Sequence, residues 1–71
     1  MSETLIINIT SGVQQITLNR PNSYNSFNKE MARSLQKAIE QGSKDESVRS
    51  ILITGKGKAF SSGQDLQEAI D

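Results

Sequence analysis

The chain has 71 residues, 34% hydrophobic and only 4% aromatic, so it forms one domain at most and buries a thin core that calls for outside support. Neither cysteine nor histidine occurs, which excludes disulfides, thiolate metal sites, histidine general bases and the commonest zinc ligands. Eight basic and eight acidic residues cancel, which argues against nucleic acid as a partner, and no apolar run exceeds three residues, too short for a membrane span. The start, Met1-Ser2-Glu3-Thr4, lacks the basic and apolar regions of a leader, so the expectation is a soluble, cytoplasmic chain.

In chain order, "LIINIT" (5–10) alternates Leu5, Ile7 and Ile9 on one face, and "VQQITLN" (13–19) puts Ile16 and Leu18 on one face. Two strand-like runs around the turn pair Ser11-Gly12 predict an antiparallel hairpin. "RPNSYN" (20–25) is turn-forming: Pro21 holds Arg20 extended, and Asn and Ser favour local side-chain bonds. Phe27, Met31, Leu35, Ala38, Ile39 and Gly42 then recur at helical spacing, predicting a helix over about 29–42 with Asn28 as N-cap, Glu30 in the first turn and Gly42 at the C-terminal end. "VRSILITG" (48–55) predicts a third strand, whose consecutive Ile51, Leu52 and Ile53 suit a strand covered on both faces. Strand, helix, strand makes a βαβ unit, with a right-handed crossover expected.

The loop "GKGKAFSSGQDL" (55–66) leaves the C-terminal end of that strand, the usual ligand position in α/β folds. As a phosphate loop it fails. Gly55-Lys56 meets Gly57 and Gly57-Lys58 meets Ala59, where Ser or Thr is needed, and Phe60 stands where a dinucleotide loop needs its third glycine. As a nucleophile loop it fails too, because Ser61 and Ser62 lie outside Gly-x-Ser-x-Gly and no histidine can take a proton. Backbone chemistry survives. Gly63 frees the chain to turn, and "QDLQEAI" has helical composition, so Gln64 and Asp65 are expected at a helix N-terminus. Amide N–H groups there can hold an oxyanion, although an ordinary strand-to-helix turn capped by Gln64 or Asp65 accounts for the same spacing.

Two longer motifs carry a resemblance. Leu-Asn-Arg-Pro-x-x-x-Asn (18–25) and Thr-Gly-x-Gly-x-Ala-Phe-x-x-Gly-x-Asp-Leu (54–66) stand in the order and at the separation found in the enoyl-CoA hydratase/isomerase (crotonase) family, and the chain resembles its N-terminal portion. "NSF" (25–27) and "GQDL" (63–66) lean toward the epoxyphenylacetyl-CoA isomerase branch. The resemblance implies an α/β fold in which the N-terminal β-hairpin and the βαβ unit form part of a crotonase-like ββα spiral, with residues 1–71 a single partial domain.

It also implies an acyl-CoA thioester site. Two backbone N–H groups hold the thioester oxygen while an enolate forms beside it, and the first donor corresponds to Gln64. Ser62, Gln64, Asp65 and Leu66 would line the acyl-CoA channel, and Asn22, Ser23, Tyr24 and Ser26 would shape the coenzyme A pocket. No metal and no separate cofactor are expected, since coenzyme A is part of the substrate, and the complete enzyme would be a homo-oligomer, a trimer or hexamer. Some members carry alanine where Ser26, Ser62 and Gln64 stand, which leaves a backbone donor intact. Family members run several times longer, and the second donor and the proton-moving carboxylates come from later segments, so the 71-residue chain alone is expected to be inactive. The alternative expectation is a truncated non-catalytic module that associates through exposed sheet and helix faces.

Overall fold

The computed structural model describes residues 4–65 of the chain. Two β-branched runs form β1 (Leu5–Thr10) and β2 (Val13–Leu18), paired antiparallel with Leu5 opposite Leu18 and Thr10 opposite Val13. Ser11 and Gly12 close the hairpin with φ of 53° and 82°, the handedness that matches strand twist. A short 3-10 turn (Pro21–Ser23) leads into α1 (Lys29–Lys44), and β3 (Ser50–Gly55) follows. β3 lies parallel to β2, with Ile53 opposite Ile16, so β2 is central in a sheet of order β1-β2-β3. The architecture is the expected α/β one, a β-hairpin followed by a βαβ unit.

The helix starts where the sequence places it. Asn28 is extended, and its side-chain oxygen accepts the Met31 amide at 2.8 Å, with Glu30 in the first turn. Its end differs from the expectation at Gly42. The helix continues to Lys44 and is capped by Asp45, whose N–H reaches the Gly42 carbonyl at 3.2 Å. Gly42 is buried within the helix because the Gln14 side-chain amide occupies the space a Cβ would fill. That amide donates from Nε2 to the Ala38 carbonyl at 3.0 Å, a polar tie between sheet and helix.

The pleat puts Leu5, Ile16, Leu18 and Ile53 on the side that meets α1, where Met31 and Ala38 complete the buried core and Phe27 and Leu35 pack against it. Each fully buried Ile, Leu or Met contributes about 1.5–3 kcal/mol. β3 departs from the expected two-sided cover: Ile51 is 39% and Leu52 49% exposed, and Ile6, Ile7 and Ile9 are open as well. The helix runs along central β2, from Leu18 to Gln14. Ile6 and Leu52 sit opposite Thr17 and Gln15 on the sheet face away from it, and Ile7, Ile9 and Ile51 share its face but lie on the outer strands. Among the described residues, no helix is long and apolar enough to cross a membrane.

The Asn25 side chain ties the chain leaving β2 to the chain leaving β3. Asn25 is 0% exposed and sits at φ 56°, a conformation Asn tolerates. Its Nδ2 donates to the Lys56 carbonyl at 2.9 Å and the Ala59 carbonyl at 2.8 Å, and its Oδ1 accepts the Arg20 amide at 2.7 Å. Gly55 permits the fold-back, since a Cβ there would collide with the backbone of Ala59 and Phe60.

Two outcomes follow from these contacts. Asn25→Ala strands buried polar groups that each cost about 1–3 kcal/mol when unpaired, so urea unfolding should show a loss of at least about 2 kcal/mol. Asn25→Asp keeps the shape but loses both donors and should lose comparable stability; a parent-like midpoint would refute the donor role. At the helix end, the Ser47 hydroxyl and then the Ser47 amide, 2.6 and 2.9 Å from Asp45 Oδ1, hold the Asp45 carboxyl below its ordinary value of 3.8. A depressed folded-state value contributes stability above the unfolded value that is lost as pH falls through the folded one. An NMR titration should find Asp45 protonating below 3.8 and the turn to Ser47 loosening there.

Candidate functional site

Loops 19–28 and 55–65 lie side by side at the C-terminal ends of β2 and β3. Besides Asn25, the Ser62 amide donates to the Tyr24 carbonyl at 2.9 Å, and the Ser61 hydroxyl donates to the Asn25 carbonyl at 2.8 Å. The Ser61 hydroxyl oxygen also accepts the Gly63 amide at 3.1 Å. Both serines therefore work as turn residues, as the failed nucleophile motif implies.

The second loop then runs alongside the first. Phe27 N–H donates to the Gly63 carbonyl at 2.7 Å, and Asp65 N–H donates to the Phe27 carbonyl at 2.8 Å, an isolated parallel bridge between Phe27 and Gln64. Gln64 is thus in an extended bridge and not in a helical turn, a backbone that a residue at or before a helix cap also adopts. The helix expected over the remainder, with Leu66, lies outside the described residues. In a parallel bridge the groups flanking Gln64 make the bonds, so its own N–H and C=O point away from Phe27. Among the described residues, the Gln64 N–H has no partner. Gly63, at φ 100°, allows that bend.

Arg20 holds the bridge from its side. Its guanidinium donates to the Ser26 carbonyl at 2.7 Å and hydroxyl at 3.2 Å, and to Asp65 Oδ2 at 3.1 Å. Only 20% of the Arg20 and 17% of the Asp65 side chain is exposed, so this ion pair is less screened than a surface one.

The residues expected to contact substrate divide between two clefts. Asn22 and Tyr24 line an open cleft of about 360 Å3 with Pro21, Gly57 and Lys58. Gln64 lines a second, of about 190 Å3, with Phe27, Asn28, Lys29 and Ala32. Ser23 and Ser62 connect the loops, the Ser62 hydroxyl lying 3.4 Å from the Ser23 carbonyl. Ser26 is buried against Arg20 and Asp65 is paired with it. Sequence reasoning missed Asn25 and Arg20 as organisers of the site, although both stand inside the Asn-Arg-Pro-x-x-x-Asn motif that carried the resemblance. Among the described residues, no cluster of three or more metal-ligating side chains forms.

Known proteins share this arrangement. Residues 8–71 match the family model for enoyl-CoA hydratase/isomerase. The chain is 41% identical over 68 residues to 1,2-epoxyphenylacetyl-CoA isomerase of Escherichia coli, covering 96% of this chain and 26% of that protein. It is 39% identical over 69 residues to human enoyl-CoA delta isomerase 2, covering 97% of this chain and 17% of that protein. The crystal structure of an enoyl-CoA hydratase from Mycobacterium marinum superposes with a TM-score of 0.93 at 37% identity, over 96% of this chain and 32% of that one. The chain therefore spans about a quarter of the length of the curated E. coli relative and less of the human one. With the family model matched over residues 8–71, the chain belongs to the enoyl-CoA hydratase/isomerase family.

Proposed function

We propose that this chain is the N-terminal part, a single partial domain, of an acyl-CoA hydratase or isomerase that stabilises a thioester enolate. One observation carries the reading: the Gln64 N–H is left without a partner among the described residues, in a backbone fixed on both sides by the bridge to Phe27. A fixed N–H donor is what a developing thioester oxyanion requires, since it need not reorganise as charge forms. The second donor and the proton-moving carboxylate would come from segments outside residues 1–71. The cleft of Asn22, Tyr24 and Lys58 suits the coenzyme A end, where an exposed ammonium can meet phosphate. Ser23, Ser26 and Ser62 would shape it through the loop contacts, Asp65 would support the acyl side through its pairing with Arg20, and Leu66 keeps the acyl-channel role that the resemblance implies.

Coenzyme A enters as part of the substrate, with no further cofactor. The setting we propose is cytoplasmic and the assembly a homo-oligomer. The lean toward the epoxyphenylacetyl-CoA isomerase branch rests on "NSF" (25–27) and "GQDL" (63–66). A second reading, a non-catalytic module that associates with partners, is favoured by the open Ile6, Ile7, Ile9, Ile51 and Leu52.

Two measurements separate these readings. In the complete enzyme carrying this chain, Gln64→Pro removes the donor, and acyl-CoA turnover should fall by about 10²–10³-fold. Gln64→Ala keeps the amide and should lose far less; circular dichroism must show both variants folded. A folded Gln64→Pro enzyme at the parent rate would rule out the oxyanion assignment. Purified 1–71 should turn over no enoyl-CoA, because it supplies one donor and no positioned base; measurable turnover would overturn the partial-domain reading.

A further inference from the structure

We propose that Arg20 and Asp65 are positioning residues that aim the Gln64 amide, an inference that rests on the oxyanion reading above. The peptide carrying that N–H follows Gly63, which sits at φ 100° with no described residue within 4 Å of where a Cβ would be. Sterics at Gly63 therefore do not fix its direction. The two bridge bonds set the local plane, but both belong to an isolated bridge with no further ladder beside it among the described residues.

The guanidinium supplies the missing restraint. Its contacts fall on Ser26, the residue before Phe27, and on Asp65, the residue after Gln64. One planar group thus spans both arms of the bridge and prevents them from shearing. Arg20 is itself fixed at its backbone, where its N–H is bound by Asn25 Oδ1 at 2.7 Å and its carbonyl accepts from Ser23 and Asn25. Rigidity passes from buried Asn25 through Arg20 to Asp65 and so to the peptide between Gly63 and Gln64. Lysine cannot replace this, because a single ammonium lacks the planar fork that serves two directions at once. The carboxylate of Asp65 is thereby committed to the protein, so it acts through Gln64 and not on substrate.

The test compares Arg20→Lys, the isosteric neutral Asp65→Asn and Gln64→Pro in the complete enzyme. It follows kcat and KM for an enoyl-CoA and the affinity for an alkyl-CoA thioether, which lacks the carbonyl oxygen. Misplaced by about an ångström, a catalytic donor loses up to about 100-fold, so each positioning variant should lower kcat about 10- to 100-fold. Thioether affinity should stay within about twofold, because that ligand makes no demand on the donor. Equal losses in kcat and thioether affinity would overturn the proposal, since they mark a general structural role. So would an Asp65→Asn variant that fails to fold, or parent kcat in both folded positioning variants while Gln64→Pro is impaired. Parent kcat in Gln64→Pro would instead remove the oxyanion reading and this inference with it.

Discussion

The buried amide of Asn25 is the contact on which the site depends. It sits where two chain segments leave adjacent parallel strands, a place where backbone carbonyls crowd with no ladder to pair them. A side chain with two N–H donors and one acceptor satisfies the Lys56 and Ala59 carbonyls and the Arg20 amide together. Without it, those groups would need water inside a contact that excludes water, a cost comparable with a sizeable part of a small domain's stability. Once the amide is placed, the loop after β3 folds back and Ser61, Ser62 and Gly63 reach the first loop. The functional segment is thus ordered by polar bonds, beside a core of few side chains.

Much of the frame was readable from local pattern. The hairpin follows from alternation on each side of Ser11-Gly12, the helix from spacing and the Asn28 cap, and the parallel β3 from the βαβ order. Gly42 was misread because glycine after a periodic run usually ends a helix, whereas here it makes room for Gln14 across the sheet. That partner is 28 positions away in the sequence, and periodicity carries no information about it. The consecutive apolar residues of β3 implied cover on both faces, yet Leu52 lies on the face away from the single helix and Ile51 on an outer strand beside the Gln14 that the helix covers.

The candidate site was legible as a loop and as a motif, but its internal wiring was not. Gln64 stands out by its position after Gly63, while its extended conformation depends on Phe27, whose helical spacing points only to the apolar face of the helix. Likewise Arg20 and Asp65 lie 45 residues apart, and neither residue type nor spacing announces their pairing. Long-range polar contacts between irregular segments have no periodic signature, so a motif can mark them without explaining them.

This wiring suits a site whose chemistry is carried by the backbone. An amide donor cannot be improved by choosing another side chain, because every residue but proline provides the same group. What can vary is its direction, and direction is set by neighbours: the glycine that permits the bend, the bridge that fixes the plane and the ion pair that braces its ends. The side chain at position 64 is then free to answer to the cleft it lines with Phe27 and Ala32, separately from the donor. Such a division separates pocket shape from charge stabilisation within one residue. On the proposed reading, different acyl groups would be accommodated over an unchanged donor, provided that Arg20, Asn25 and Asp65 keep the peptide where it is.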